Sequence, residues 1–429
     1  MKANEINELI GVQEAYKAAD KLTEHIIDKE RREALFMKFL DIEQDLSYDW
    51  FTDYFQSEHG DRVKLKQDYT PVGIAEICAG MLPHAASVLD ICAGVGGLTI
   101  QVWKNNPQAF FRCEELASRA IPFLLFNLSI RGIEGEVLQG NTLTREYEHV
   151  YKLTRNGRFS DIEECERARQ QVFDAVITNP PYSLTWNPVP DERFAEYGLP
   201  PKSKADYAFI MHGLHYLAPG GTLSAILPHG VLFRGQAEGT IREQILRHNL
   251  LDGIIGLPEK SFLNTGIPVA VIVLKKDKNE KDCIIIDASD ECEKRPKLNI
   301  ITAENVQRVL TVYKTRKPVE RFANVADFAK LEKEGFNLNI PRYVNTFIPE
   351  PVEPLDILIG DLISIEKEIK KTETNIAEIM ATKLTGFDKE TKKQIELWHN
   401  SLTTGIASLQ KLPRLNEQKQ EKHTQLELF

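Results

Sequence analysis

Val88-Leu-Asp-Ile-Cys-Ala-Gly-Val-Gly-Gly97 is an apolar run that breaks into a turn with three glycines, and a helical pattern starts at Leu98. Glycines at 94, 96 and 97 let the backbone turn tightly and come close to a ligand where a β-carbon would stand in the way. Short apolar runs alternate with amphipathic segments on either side of this turn. Strands are predicted at Ser87–Ile91, Phe110–Glu114, Glu136–Leu138, Phe173–Thr178, Gly221–Leu227, Gly253–Leu257 and Val269–Lys275. Helices fall between them, for example Ser118–Ile130 and Tyr207–Leu217. That alternation implies an α/β fold of the Rossmann-like type, a mostly parallel sheet with helices on both faces. The highly charged stretch Arg145–Gln171 is expected to be an exposed excursion between two strands.

Outward from this core the texture changes twice. Residues 1–65 carry Leu35, Phe36, Phe39, Leu40 and Leu46 at helical spacing and form an N-terminal helical region. Residues 66–348 hold the strand pattern, which stops after Pro341. In residues 349–429, Leu355, Leu358, Leu362, Ile365, Ile369, Thr372, Ile376 and Ile379 alternate in steps of three and four, the seam of a coiled coil. A helix packed on its own catalytic domain is the other reading of that stripe. Either way it needs a partner surface, because a lone helix of this kind is marginal in water.

The 429 residues are 42% hydrophobic and 27% charged, an ordinary globular balance. No apolar run reaches the roughly 18 residues of a membrane span, and the first residues lack a secretion signal, so a cytoplasmic protein without a membrane partner is expected. Cysteines 78, 92, 113, 165, 283 and 292 form no Cys-x-x-Cys pair. They are expected to be reduced, buried thiols, and no metal site is predicted. The net charge of −10 is unusual for a protein that would grip nucleic acid unaided.

The glycine turn suits a nicotinamide dinucleotide as well as S-adenosylmethionine, and a purely structural turn is the third reading. Glu114, at the end of the next predicted strand, can accept hydrogen bonds from both hydroxyls of a ribose. Glu115, one residue further, is the weaker candidate. Asp90 could face the amino group of a methionine moiety or simply cap the strand end. Asn141 follows the third strand, where a contact to the edge of an adenine is expected.

Phe173-Asp-Ala-Val-Ile-Thr-Asn-Pro-Pro-Tyr182 narrows the chemistry. An apolar strand delivers Asn179, Pro180, Pro181 and Tyr182 to the carboxyl edge of the sheet, where open α/β folds bind ligands. The exocyclic N6 of adenine is a poor nucleophile because its lone pair is delocalised into the ring. The side-chain oxygen of Asn179 and the carbonyl of Pro180 can accept its two hydrogens and free the lone pair. Proline brings no N–H to compete there and restricts the backbone that aims the carbonyl. Tyr182 offers a ring for base stacking, worth about 1–3 kcal/mol. A base in a duplex must be flipped out to reach such a site. Asn-Pro-Pro-Tyr as a plain turn is the bland alternative.

These residues resemble the gamma class of amino-methyltransferases, in which a cofactor segment precedes the glycine turn. Gln67-Asp-Tyr69-Thr70-Pro71 matches that segment, and the resemblance implies that Tyr69, Thr70 and Pro71 touch the methionine part of S-adenosylmethionine. From about 60 to 345 the chain is similar to the modification subunit of type I restriction–modification systems. Supporting stretches are Gly220-Gly-Thr-Leu-Ser-Ala-Ile-Leu-Pro-His-Gly-Val-Leu-Phe233, Ile255-Gly-Leu-Pro-Glu-Lys-Ser-Phe-Leu-Asn-Thr-Gly-Ile267 and Gly335-Phe-Asn-Leu-Asn-Ile-Pro-Arg-Tyr343. Phe262 is implied in the target-base pocket, with a core aromatic as its equal alternative. Asn141 departs from the acid usual at its position, and the N-terminal helical part is shorter than usual.

The resemblance implies a site-specific DNA (adenine-N6) methyltransferase. Its partners would be DNA, a specificity subunit docked on residues 351–429, a second modification subunit and a restriction subunit. Adenine in RNA and glutamine in protein present the same NH₂ group and are the rival substrates. A catalytically idle assembly subunit is the rival from outside enzymology.

Overall fold

The computed structural model of the protein describes residues 1–58, 69–166, 171–263, 266–347, 354–382 and 388–404, with positions 168 and 386 besides. Gln67, Asp68, Asn264, Thr265 and residues 405–429 of the regions singled out above lie outside the described residues. The chain divides into two compact units, Met1–Phe347 and Ile348–Phe429.

The first unit opens with four helices, α1 (Ala3–Ile10), α2 (Ala18–Ile27), α3 (Lys29–Ile42) and α4 (Thr52–Glu58). Asp28 caps α3 by accepting from the Arg31 amide. Phe36, Phe39 and Phe51 pack around Phe126, with ring centroids 4.8, 4.7 and 5.0 Å from it. The N-terminal helices therefore share one core with the sheet domain. The division expected near residue 65 falls inside this unit, not at its border.

Helix α5 (Val72–Met81) leads into β1 (Ser87–Ile91), α6 (Gly97–Asn105), β2 (Phe110–Glu115), α7 (Ile121–Ile130) and β3 (Glu134–Asn141). The charged excursion is not a loop. It forms an antiparallel hairpin, β4 (Glu146–Asn156) and β5 (Phe159–Cys165), added to the edge of the sheet beside β3. Its buried points are Val150, Leu153 and Ser160, too few to show as an apolar run. Strand β6 (Phe173–Thr178) follows, then α8 (Asp206–Tyr216), β7 (Leu217–Pro228), α9 (Gln236–Arg247), β8 (Leu251–Gly256) and β9 (Val269–Lys275). Strand β10 (Asp282–Asp287), helix α10 (Ala303–Thr315), β11 (Ala323–Asp327) and α11 (Phe328–Lys333) complete the unit.

The eleven strands form one sheet in the order β11-β10-β8-β9-β7-β6-β1-β2-β3-β4-β5. Its centre, β7-β6-β1-β2-β3, is wholly parallel, and antiparallel pairs flank it on both sides. The central strands are buried on both faces, which explains their continuous apolar runs. Chain order runs outward from β1 through β2 to β3 on one side and from β6 to β7 on the other. The β1–β6 seam is thus the switch point of the sheet, where open α/β folds bind ligands.

The second unit holds α12 (Leu355–Thr382) and α13 (Lys389–Thr404). Leu355, Leu358, Leu362, Ile365, Ile369, Ile376 and Ile379 are all exposed on α12. No described helix is long and apolar enough to cross a membrane. All six cysteines are free, with Cys78, Cys113 and Cys283 buried.

Asp90 lies beneath the β1–α6 corner. It is fully buried, its Oδ2 accepts from the Thr99 hydroxyl of α6, and its Oδ1 has no hydrogen-bond partner among the described residues. Burial, joined by the nearby Glu115 and Glu114 carboxylates, pushes its pKa up to about 7. A raised acid stabilises the fold fully below its unfolded pKa of about 4, and that contribution is lost as pH rises through about 7. Urea unfolding at pH 5 and pH 8 should show Asp90→Asn flattening the decline by on the order of 2–4 kcal/mol. An unchanged slope would remove Asp90 from the account.

Candidate active site

Parallel pairing of Val88 with Ala175 and of Ile91 with Thr178 sets the ends of β1 and β6 side by side. The Thr178 hydroxyl donates to the Ile91 carbonyl and ties the two ends together. Beyond them the glycine turn and the Asn-Pro-Pro-Tyr segment open onto one cavity of about 360 Å³. Tyr69, Thr70, Gly94, Gly97, Glu114, Asn141, Asn179, Pro180 and Pro181 all line it. Residues scattered over more than a hundred positions of sequence thus meet where the sequence placed their chemistry. The volume is within the range of roughly 300–1,000 Å³ usual for small-ligand pockets.

The turn has the geometry that glycine permits. Gly94 and Gly96 have φ of 59° and 97°, and a β-carbon on Gly94 would stand 3.0 Å from the Tyr69 ring. Tyr69 is held edge-on to Phe55, at 5.6 Å between ring centroids. Pro71 serves as the N-cap of α5, which sets Tyr69 and Thr70 just ahead of that helix.

The two acids at the end of β2 have different partners, and both line the cavity. Strand β2 runs one residue further than expected, through Glu115, which pairs with Gln139. Side chains alternate along a strand, so the two neighbours cannot share a face. Glu115 turns to the glycine corner, where its carboxylate accepts from the amides of Gly94 at 2.8 Å and Ala117 at 2.7 Å. Burial raises its pKa, opposed by these amides. Glu114, also on the cavity wall, accepts from the Thr142 hydroxyl at 2.8 Å and lies 3.2 Å from His212 Nε2. The Arg193 guanidinium lies 2.8 Å from His212 Nδ1. Burial would raise Glu114, but His212, Thr142 and Tyr147 outweigh it and hold its pKa low.

Asp90 stands apart from these two acids. It lies below the turn, bound to Thr99, and is not among the residues of the cavity wall. Asn141 does line the cavity, and its Oδ1 accepts from the Leu143 amide at 2.9 Å.

Asn179 is held at both ends of its amide. Its Nδ2 donates to Thr70 Oγ1 at 2.9 Å, and the Tyr182 hydroxyl donates to its Oδ1 at 2.8 Å. Tyr182 differs from the open stacking platform expected of it. Its side chain is 8% exposed and packs edge-on against Phe262 at 6.1 Å, and neither ring lines the cavity. Of the two readings of Phe262, this state shows the core aromatic. Beyond Tyr182 the chain turns through Ser183 at φ 51°. The Ser183 amide donates to Asp206, which in turn accepts from Arg234 at 2.6 Å.

Several wall residues carried no signal in the sequence. Leu116, Leu143 and Phe209 give the cavity apolar surfaces, and Thr52 reaches it from the N-terminal helices. Trp186, four positions past Tyr182, also lines it and is pinned by its indole N–H to the Pro201 carbonyl at 3.0 Å. An acid beside a glycine turn, apolar walls and a polar strand end make a slot for a nucleoside. Among the described residues no cluster of His, Cys, Asp or Glu could hold a metal ion.

The chain is 28% identical over 341 residues to the methylase subunit of type I restriction enzyme MpnII of Mycoplasma pneumoniae, covering 75% of this chain and 60% of that protein. It is 28% identical over 416 residues to the MjaVII methylase subunit of Methanocaldococcus jannaschii, covering 88% and 68%. It thus spans only about 60% of the length of the Mycoplasma relative. The type I restriction–modification methyltransferase subunit of Streptococcus thermophilus superposes with a TM-score of 0.61 at 28% identity, over 80% of this chain and 79% of that one. Residues 43–350 match the N-6 DNA methylase family, a span that contains every wall residue of the cavity, and the chain belongs to that family.

Proposed function

We propose that the protein transfers a methyl group from S-adenosylmethionine to the N6 amine of a flipped-out adenine in DNA, as the modification subunit of a type I restriction–modification complex. The observation that carries this reading is the convergence of Asn179 and Pro180 with the glycine turn and Glu115 on one cavity. The names of the relatives, methylase subunits of type I restriction enzymes, support the assignment to such a system.

The residues fit the cofactor. The buried Glu115 carboxylate accepts from the backbone amides of Gly94 and Ala117 and keeps lone pairs for a ribose diol. Leu116, Leu143 and Phe209 suit the faces of an adenine, and Asn141 its edge. The buried Tyr69 hydroxyl has no hydrogen-bond partner among the described residues. When bound, S-adenosylmethionine supplies an electrophilic methyl group. The protein's part is alignment and two acceptors for the target NH₂, which draw its lone pair out of conjugation. The incoming N–H takes the place of the Tyr182 hydroxyl on Asn179 Oδ1, and the released Tyr182 ring becomes available for stacking on the base. No charged base at the strand end is required for this step.

The exposed stripe of α12 is the surface we assign to the specificity partner. A net charge of −10 agrees with leaving sequence recognition to that partner. Adenine in RNA or a glutamine side chain would meet the same two acceptors, and labelled-cofactor transfer to DNA, RNA and protein extract separates them.

In that assay Asn179→Ala should abolish transfer to DNA while S-adenosylhomocysteine affinity stays within about threefold; retained transfer would end the mechanism. Calorimetry of Glu115→Gln should show affinity lower by about tenfold or more, the scale of hydrogen bonds to a charged acceptor, with Glu114→Gln affecting thermal stability more than affinity. The opposite ranking would restore Glu114 as the ribose acid. Deletion of residues 351–429 should abolish co-purification of the specificity subunit together with DNA methylation, and unchanged values for both would sink the docking assignment.

A further inference from the structure

The loop that joins α3 to α4 is bound into the floor of the cavity by a buried polar bracket. Asp49 Oδ2 accepts from the Thr52 amide at 2.6 Å, and Oδ1 accepts from the Phe51 amide at 3.0 Å and from the Asn127 side chain. Asn127, fully buried on α7, also donates to the Val95 carbonyl of the glycine turn at 2.8 Å. Its own side-chain oxygen accepts from Arg131 at 2.9 Å. Arg131 then spans back to the loop, donating to the carbonyls of Leu46 at 2.9 Å and Tyr48 at 2.6 Å. Its guanidinium lies 5.5 Å from the Trp50 ring. Burying an arginine and an asparagine is costly unless every donor is used. Nearly all of their donors here go to one task, holding residues 46–52 against the turn.

The product of this bracket is the position of Thr52. It lines the cavity, and a β-carbon built on Gly97 would stand 3.6 Å from its Oγ1. Gly97 opens α6, and the N-cap of that helix, Gly96, has no side chain to satisfy its first amides. Glu115 binds Gly94, at the other end of the same turn. The ribose therefore belongs at the Gly94 end, and the opposite end of the ligand belongs at Gly97. The amino-acid tail of S-adenosylmethionine carries its only carboxylate, and a helix start with free amides attracts an anion.

We infer that Thr52 contacts the cofactor, its hydroxyl donating to the tail carboxylate, and that Asp49, Asn127 and Arg131 are positioning residues that hold it there. This rests on the S-adenosylmethionine reading. It makes the N-terminal helices a part of the cofactor site.

Titration calorimetry of the full chain with S-adenosylhomocysteine and with methylthioadenosine, which lacks the amino-acid tail, tests it. Thr52→Val should weaken S-adenosylhomocysteine about three- to tenfold, the scale of one hydrogen bond, and leave methylthioadenosine unchanged. Thr52→Ser should bind both like the wild type. Asn127→Ala should weaken S-adenosylhomocysteine at least as much; if it fails to fold, the Thr52 pair still decides. Equal affinities in Thr52→Val and wild type, or an equal loss for both ligands, would overturn the inference alone. A wild type that binds neither ligand would overturn the cofactor reading along with it.

Discussion

The parallel pairing of residues 88–91 with 175–178 is the constraint on which the site depends. Each strand ends in a segment that is unremarkable by itself, a turn with glycines and a turn with prolines. Their chemistry arises because the register sets both ends level, with Thr178 tied to the Ile91 carbonyl. Side chains alternate along a strand, so a slip of one residue would turn each of them to the wrong face. Central burial on both faces makes such a slip costly, since Val88, Leu89, Val176 and Ile177 are all fully enclosed.

The same alternation divides two neighbouring acids between two tasks. Glu115 remains at the cavity corner with its pKa raised, while Glu114 is drawn into a buried set with Thr142, His212 and Arg193. That set joins the end of β2 to α8 and to the segment after Tyr182, and so braces the cavity wall beside Glu115. Similar economy governs Asn179. Thr70 orients its amide, and Tyr182 occupies its oxygen in the resting arrangement. A buried acceptor is thereby never left empty, which would cost about 1–3 kcal/mol.

The N-terminal helices bring a second source of order. Aromatic packing of Phe36, Phe39 and Phe51 on Phe126 anchors them to α7, and the Arg131 bracket carries that anchoring to the glycine turn. The first unit is therefore built around its cavity from both chain directions. The second unit shows the opposite character, with a long helix whose apolar residues remain exposed. One unit encloses a cavity, and the other presents an apolar stripe.

Much of this was legible in the residues. Apolar strands ending in Gly94–Gly97 and in Asn179–Tyr182 specify both a sheet and what its edge can do, because local period and turn chemistry need no distant partner. The hairpin of residues 146–165 was not legible, since its strands are buried at only a few points and are charged elsewhere. The contact of Glu115 with the glycine turn needed the true end of β2, one residue past the apolar run. The withdrawal of Asp90 beneath the turn, the enclosure of Tyr182 against Phe262 and the arrival of Thr52 at Gly97 all depend on which elements pack together. Sequence determined which chemistry each strand end carries; only the packed structure decided which face each side chain shows and which distant residues meet it, because facing is set by register and by neighbours that no local pattern contains.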